Sequence, residues 1–206
     1  AFIEKELPNM RKLGTNILAN VGGGCFEDYA EAIEKINNTD VDIIELNISC
    51  PNVHHGGMAY GIKSDIAHDF VKEMKKIAKK PLMVKLSPNA ENIVDMAVKV
   101  QEAGADSVSL INTINALAID PYKRKAVFNN VTAGLSGPAV KPIALRMVYQ
   151  VAKAVDIPVI GLGGISTGMD AIEFMMAGAS AVQIGTVNFS NPMAGKEIIT
   201  EMEQFC

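Results

Sequence analysis

Short apolar runs alternate with longer amphipathic segments along the whole chain. The short runs are rich in β-branched residues and predict strands, whereas the longer segments have apolar residues at helical spacing. The predicted strands are Thr15–Asn20, Ile43–Ser49, Leu82–Ser87, Ser107–Asn112, Val159–Leu162 and Ala181–Thr186. The helices predicted to follow them span residues 27–36, 64–79, 91–103, 138–154, 168–177 and 193–204.

Several helix ends carry local signals. Thr167 and Asp170 have the spacing of a capping box at the start of the fifth helix. Gly104 and Gly178 follow the helices predicted at 91–103 and 168–177. A left-handed residue is favoured at such a position, so both glycines are predicted to end a helix.

Strands that alternate with helices predict a parallel sheet, either an open doubly wound sheet or a closed (β/α)8 barrel. Polar residues or glycines end nearly every predicted strand, which favours a barrel because all its strands meet at one mouth. An open sheet would concentrate them at one switch point. We therefore predict one TIM (β/α)8 barrel domain over residues 1–206. Because only about six βα units are found, we expect this chain to lack the first two units of a longer protein.

Composition excludes some classes of function. The net charge is -4 and the charges are not segregated into blocks, which argues against nucleic acid or an anionic membrane as a partner. No apolar stretch approaches the roughly 20 residues that cross a bilayer. The three cysteines have no Cys-x-x-Cys spacing, so a cytoplasmic protein without its own iron–sulfur cluster is expected.

A thiol stands where the second predicted strand ends. Cys50 is followed by Pro51, which lacks a backbone donor and cannot extend the ladder. On a barrel this position faces the active-site mouth, where a thiol can act as a base. A small buried cysteine is the alternative.

Amide side chains flank this thiol in sequence or end a later strand. They are Asn47, Asn52 and Asn112, the last followed by Thr113. An amide offers both a donor and an acceptor, so several of them at one mouth suit a planar ring with N–H and C=O groups, such as a pyrimidine. Asparagine is also common in turns for purely local reasons.

A lysine and two glycine loops predict an anionic partner. Lys85 lies within an apolar strand, where an inward ammonium can stabilise negative charge on a cofactor ring. A strand-end lysine with a purely structural partner is the alternative. Gly163-Gly164 and Gly185-Thr186 follow the last two strands, at the usual phosphate site of a barrel.

A metal site is not expected. His54 and His55 follow Cys50 closely, but a zinc site needs a fuller ligand set than this spacing supplies.

A series of motifs resembles the catalytic subunit of the dihydroorotate dehydrogenase family, class 1, and most closely its NAD-linked branch. In chain order these motifs are Asn47-Ile48-Ser49-Cys50-Pro51-Asn52, Val84-Lys85-Leu86-Ser87-Pro88-Asn89, Ile111-Asn112-Thr113, Gly134-Leu135-Ser136-Gly137-Pro138, Gly163-Gly164-Ile165 and Ile184-Gly185-Thr186. The resemblance implies a (β/α)8 barrel that uses FMN to oxidise dihydroorotate to orotate in pyrimidine biosynthesis.

The resemblance also implies a role for individual residues. Cys50 would be the base that removes a proton from the substrate while a hydride passes to flavin N5. Asn47, Asn52, Asn112 and Thr113 would bind the substrate. The flavin contacts would be Asn20, Asn47, Lys85 and Ile111, with Gly137, Gly163, Gly164, Gly185 and Thr186 around the phosphate. A homodimer and, in the NAD-linked branch, a second subunit with FAD and a 2Fe–2S cluster are implied as partners.

Three other hypotheses stay open at this point. A flavin-free barrel lyase or isomerase would use the glycine loops for the phosphate of its own substrate. A related flavin dehydrogenase would act on another reduced pyrimidine. The chain would otherwise be a fragment without catalytic function.

Overall fold

The computed structural model describes residues 1–49 and 60–205. Its strands are β1 (Leu18–Val21), β2 (Ile43–Asn47), β3 (Leu82–Lys85), β4 (Ser107–Leu110), β5 (Ile114–Leu117), β6 (Ile119–Asp120), β7 (Lys125–Ala126), β8 (Thr132–Leu135), β9 (Val159–Leu162) and β10 (Ala181–Gln183). Its α-helices are α1 (Leu7–Arg11), α2 (Phe26–Asn37), α3 (Ser64–Ile77), α4 (Ile93–Glu102), α5 (Lys141–Ala152), α6 (Gly168–Met176), α7 (Val187–Ser190) and α8 (Ala194–Phe205). A π-helical turn, Phe2–Glu6, precedes α1, and a 3-10 turn, Pro138–Val140, precedes α5.

The six predicted βα units are confirmed, with β1, β2, β3, β4, β9 and β10 as their strands. Several strands end before the predicted residue. For example, β2 ends at Asn47 instead of Ser49, and β3 at Lys85 instead of Ser87. The polar residues at these ends leave the ladder and form side-chain hydrogen bonds, which period-2 patterning does not register.

Two antiparallel strand pairs that were not predicted from the sequence lie between β4 and α5. In these pairs β5 is bonded to β8 and β6 to β7. The strands are two to four residues long, and large apolar residues such as Leu117 and Ile119 are more than half exposed. Strands this short and exposed lack the buried apolar run that reveals a strand in a sequence.

The chain divides into two compact units. Unit one comprises the described residues of 1–86, 90–109 and 154–158, and unit two those of 87–89, 110–153 and from 159 onward. The expectation of a single domain over residues 1–206 stays a prediction.

Unit one is a parallel sheet with helices packed on it. Its strands lie in the order β1, β2, β3, β4, with Ala19 opposite Ile44, Leu46 opposite Val84 and Val84 opposite Val108. Ile44, Leu46, Val84 and Val108 are fully buried. Continuous apolar burial is typical of parallel strands that are covered on both faces.

Unit two contains the parallel pair of β9 and β10, with Ile160 opposite Ala181. Helix α5 packs on β9, and α6 packs against α8. Phe174 of α6 is fully buried and lies against Gly161 of β9, where an added Cβ would approach the ring too closely. The absence of a side chain at Gly161 therefore allows the helix to pack close to the strand.

The predicted helix ends are confirmed. Thr167 and Asp170 form a reciprocal capping box at the start of α6. Gly104 and Gly178 follow the ends of α4 and α6 with φ of +97° and +106°. Each glycine adopts a backbone conformation that other residues rarely reach, so each helix stops there.

Gly178→Ala is expected to lower the free energy of unfolding by about 1–3 kcal/mol. The new Cβ would have a strained φ and would lie 2.7 Å from the Cβ of Ala152. Urea unfolding measures the change. Gly22→Ala is the matched control, because no atom lies within 4 Å of the Cβ that it adds; an equal loss in both variants would contradict this account.

Asp170→Asn is expected to lower the free energy of unfolding by about 2 kcal/mol at neutral pH. Burial alone would raise the pKa of Asp170, but the Lys141 ammonium, at 2.6 Å, and the N–H of Ser166, at 2.9 Å, outweigh it. The pKa of this carboxyl is therefore held well below its usual value.

The sign of the pH dependence follows from this lowered pKa. The stabilisation is fully present above the unfolded-state pKa of about 3.9 and is lost as pH falls towards the folded-state value. The difference between wild type and Asp170→Asn should therefore shrink below about pH 4 in urea titrations. Exposed Asp40→Asn should change stability by less than about 0.5 kcal/mol. A pH-independent difference for Asp170 would rule out the ionic contribution.

Candidate active site

Three candidate residues of unit one lie at the ends of neighbouring strands. Asn20 is in β1, Asn47 ends β2 and Lys85 ends β3. Asn47 is the register partner of Lys85, and Asn20 is the register partner of Glu45. Since register partners, and residues two apart on one strand, point to the same face of a sheet, these side chains share one face.

Glu45 interacts with two of these candidates, Asn20 and Lys85. It was not predicted from the sequence as a site residue. Its carboxylate accepts a hydrogen bond from Asn20 Nδ2 at 2.5 Å and one from the Ser109 hydroxyl at 2.7 Å. Lys85 Nζ lies 4.0 Å from its Oε2 atom. The available signal was a charged residue within an apolar strand, the same signal that selected Lys85.

The end of β2 is held in place by three hydrogen bonds. The Tyr29 hydroxyl donates to the carbonyl of Asn47 at 2.7 Å. The Ser49 N–H donates to the side-chain oxygen of Asn47 at 3.2 Å, and the Ser49 hydroxyl donates to the carbonyl of Lys85 at 3.1 Å. The backbone that leads to Cys50 is therefore bonded both to α2 and to β3.

Cys50 and Asn52 lie outside the described residues, so their predicted roles stay predictions. Gly61, close to the point where the described residues resume, lies beside Ile48, which follows β2. A Cβ on Gly61 would lie 2.6 Å from the carbonyl oxygen of Ile48. Tyr60 stacks on Phe70 with ring centroids 4.0 Å apart. The ends that flank residues 50–59 are thus packed within unit one.

The candidate residues of unit two include a strand end and its neighbouring loop. Ile111 is buried and donates its N–H to the carbonyl of Leu162 at 2.8 Å. The side-chain oxygen of Asn112 accepts the N–H of Thr113 at 2.8 Å. Asn89, which the sequence analysis placed only within a motif, donates to the carbonyl of Thr113 at 3.3 Å.

Glycines of unit two form a tight backbone cradle. Gly137, Gly163 and Gly164 have φ of +87°, +127° and +79°. A Cβ on Gly164 would lie 2.8 Å from both the Gly137 oxygen and the Lys141 nitrogen, and one on Gly163 would lie 2.8 Å from the Ala144 Cβ. The positions of Gly163 and Gly164 therefore have room only for glycine, as expected where backbone N–H groups approach an anion.

Open space adjoins other glycines of unit two. No atom lies within 4 Å of the Cβ position of Gly137 or Gly185. Gly185 and Thr186 are exposed and precede α7, and the carbonyl of Gly185 accepts the N–H of Asn188 at 3.0 Å. Their backbone is therefore accessible to a ligand.

The described residues contain neither a metal-binding cluster nor a membrane-spanning helix. Among residues 1–49 and 60–205, no group of three or more His, Cys, Asp or Glu side chains is placed to hold a metal ion. Within the same ranges, the helices are too short or too polar to cross a membrane.

Comparisons with known proteins give a consistent result. The family model for dihydroorotate dehydrogenase matches residues 1–206. The chain is 59% identical over 205 residues to "Dihydroorotate dehydrogenase B (NAD(+)), catalytic subunit" of Petrotoga mobilis, covering 100% of this chain and 68% of the relative. It is 52% identical to the protein of the same name from Alkaliphilus metalliredigens, covering 99% of this chain and 68% of the relative.

A solved structure has a similar fold. The crystal structure of DHODH from Eimeria tenella in complex with ferulenol superposes with a TM-score of 0.71 at 22% identity, covering 87% of this chain and 54% of that one. This chain thus spans about half the length of the solved chain. The six βα units belong to a partial (β/α)8 barrel, and the chain belongs to the dihydroorotate dehydrogenase family.

Proposed function

We propose that this chain carries the catalytic residues that oxidise dihydroorotate to orotate in pyrimidine biosynthesis, with FMN as the cofactor. The observation that carries the proposal is the pairing of Asn47 with Lys85 on one face of unit one, in a chain of this family. An amide and an ammonium at adjacent strand ends suit a planar, electron-accepting ring and its substrate.

The residues of unit two fit the phosphate of FMN. The Cβ positions of Gly163 and Gly164 are crowded by neighbouring atoms, and the backbone at Gly185 and Thr186 is exposed. Such a backbone presents N–H groups to an anion at short range. Ile111, which is buried directly after β4, would supply an apolar contact to the ring.

Substrate binding is assigned to the side chains of Asn47, Asn52, Asn112 and Thr113. Their amide and hydroxyl groups would bond the N–H and C=O groups of the pyrimidine ring. The contact between Asn112 and the N–H of Thr113 orients that amide in unit two, as the contact with Ser49 orients Asn47 in unit one.

Cys50 is assigned as the base. Its thiolate would take the proton from C5 of dihydroorotate while C6 loses a hydride, so that a C5–C6 double bond forms. FMN, when bound, supplies the acceptor for that hydride. A thiol has a pKa of about 8.5, so a useful fraction is ionised near neutral pH, which a serine hydroxyl cannot match.

A second copy of the chain and an electron-transfer subunit with FAD and a 2Fe–2S cluster are proposed as partners. The electron-transfer subunit is supported by the name of the similar proteins, which are catalytic subunits of a dehydrogenase named for NAD(+). The sequence has three cysteines without Cys-x-x-Cys spacing and no complete dinucleotide-binding fingerprint, so electron transfer to NAD would require that second subunit.

Dihydroorotate is expected to bleach the visible absorbance of the FMN-loaded protein under anaerobic conditions, whereas dihydrouracil should not. Cys50→Ser should keep FMN but slow this reduction by about 10²–10⁴-fold, with the remaining activity shifted to higher pH. Stopped-flow absorbance across a pH series measures both effects.

The matched control is Cys25→Ser. Cys25 is the N-cap of α2, where serine is a good replacement, so the rate of flavin reduction should stay unchanged.

Bleaching by dihydrouracil instead would favour a related pyrimidine dehydrogenase. A colourless protein that binds phosphate esters would favour a flavin-free lyase or isomerase.

Gly164→Ala is expected to weaken FMN binding by about tenfold or more, equivalent to about 1.4 kcal/mol. The new Cβ would collide with the Gly137 oxygen and the Lys141 nitrogen and would widen the cradle. Fluorescence titration of the apoprotein with FMN measures the dissociation constant. The control is Gly195→Ala in α8, whose Cβ would make an ordinary contact of 3.4 Å with Ile184. Unchanged affinity in folded Gly164→Ala would remove the cradle from the proposed site.

A further inference from the structure

A buried carboxylate lies at the centre of the sheet in unit one. Glu45 is 2% exposed, and its strand neighbours Ile44 and Leu46 are fully buried. Moving a carboxylate from water into such surroundings is costly unless its oxygens are bonded and its charge is balanced. A glutamate in this position therefore implies compensating partners.

Those partners come from three other strands. Asn20 of β1 donates to Oε2, and Ser109 of β4 donates to Oε1. Lys85 of β3 supplies the positive charge, with Nζ at 4.0 Å from Oε2. Lys85 has a side chain that is only 18% exposed, so water screens this pair weakly.

Two of these partners are flavin contacts in the proposed function. Asn20 and Lys85 lie on different strands, yet the same carboxylate is hydrogen-bonded to Asn20 and ion-paired with Lys85. Long side chains lose rotamer freedom when they are held by a fixed partner, so Glu45 restricts where the Lys85 ammonium and the Asn20 amide can lie. Ser109 in turn restricts the carboxylate itself.

We propose that Glu45 is a positioning residue, which holds Lys85 and Asn20 against the flavin and sets its reduction potential through its own buried charge. This inference rests on the proposed function. The reduced flavin ring is richer in electrons, so a nearby ammonium stabilises it and a nearby carboxylate destabilises it. Glu45 therefore offsets part of the effect of Lys85.

The test is the potential of bound FMN in Glu45→Gln. Glutamine keeps the size and one acceptor oxygen of glutamate but removes the negative charge. At a fixed ambient potential, the ratio of reduced to oxidised flavin should rise about tenfold. For a two-electron couple this corresponds to a rise of about 30 mV in the reduction potential. Spectroscopic titration against a dye of known potential measures this value without turnover.

Two further variants separate charge from structure. Glu102→Gln removes the same charge from an exposed pair with Lys99, and it should leave the potential unchanged. Ser109→Ala removes one hydrogen bond from Glu45 but keeps its charge, so it should lower stability while changing the flavin ratio less than Glu45→Gln does.

Each outcome decides between the alternatives. A folded, FMN-bound Glu45→Gln protein with an unchanged or lower potential would overturn the inference and leave the proposed function standing. If Glu45→Gln does not fold, Glu45→Asp decides instead. Aspartate is shorter, so its negative charge lies farther from Lys85, and the reduction potential of bound FMN should rise by a smaller amount. An unchanged potential would overturn the inference. A wild-type protein that does not bind FMN would overturn both the proposed function and this inference.

Discussion

The register of the parallel strands in unit one is the constraint on which the rest of the site depends. A shift of one residue in β2 would move Glu45 and Asn47 to the opposite face, away from Asn20 and Lys85. Apolar burial at Ile44 and Leu46 opposes such a shift, because it would expose or displace both side chains. The same apolar positions that stabilise the sheet therefore also align its polar residues.

Side-chain bonds at the strand starts reinforce this register. Asp42 precedes β2 and accepts the N–H of Ile17 at 2.7 Å, and Asp106 precedes β4 and accepts the N–H of Leu82 at 2.6 Å. Each carboxylate ties its own strand to the preceding one, at the end away from the candidate residues. Structural carboxylates and candidate site residues thus occupy opposite ends of the strands, as is usual in parallel barrels.

The candidate site residues of unit two offer backbone groups, whereas those of unit one offer side chains. The positive φ of Gly163 and Gly164 and the crowding at their Cβ positions exclude any other residue. Asp170 and Lys141 stabilise the start of α6 nearby in the same unit, through a capping box and an ion pair. A rigid helix start next to a glycine pair keeps the backbone N–H groups in a defined direction.

Apolar periodicity and helix caps are local signals, so the six βα units and the motifs of the family could be predicted from the sequence. It also selected Lys85 and the glycine pair from local chemistry. It did not reveal Glu45, the exposed strand pairs between β4 and α5, or the anchoring of Asn47 by Tyr29. These features depend on contacts between residues distant in sequence, 64 positions apart for Glu45 and Ser109. They become visible in the folded chain, because the role of a carboxylate within an apolar strand depends on the strands that lie beside it.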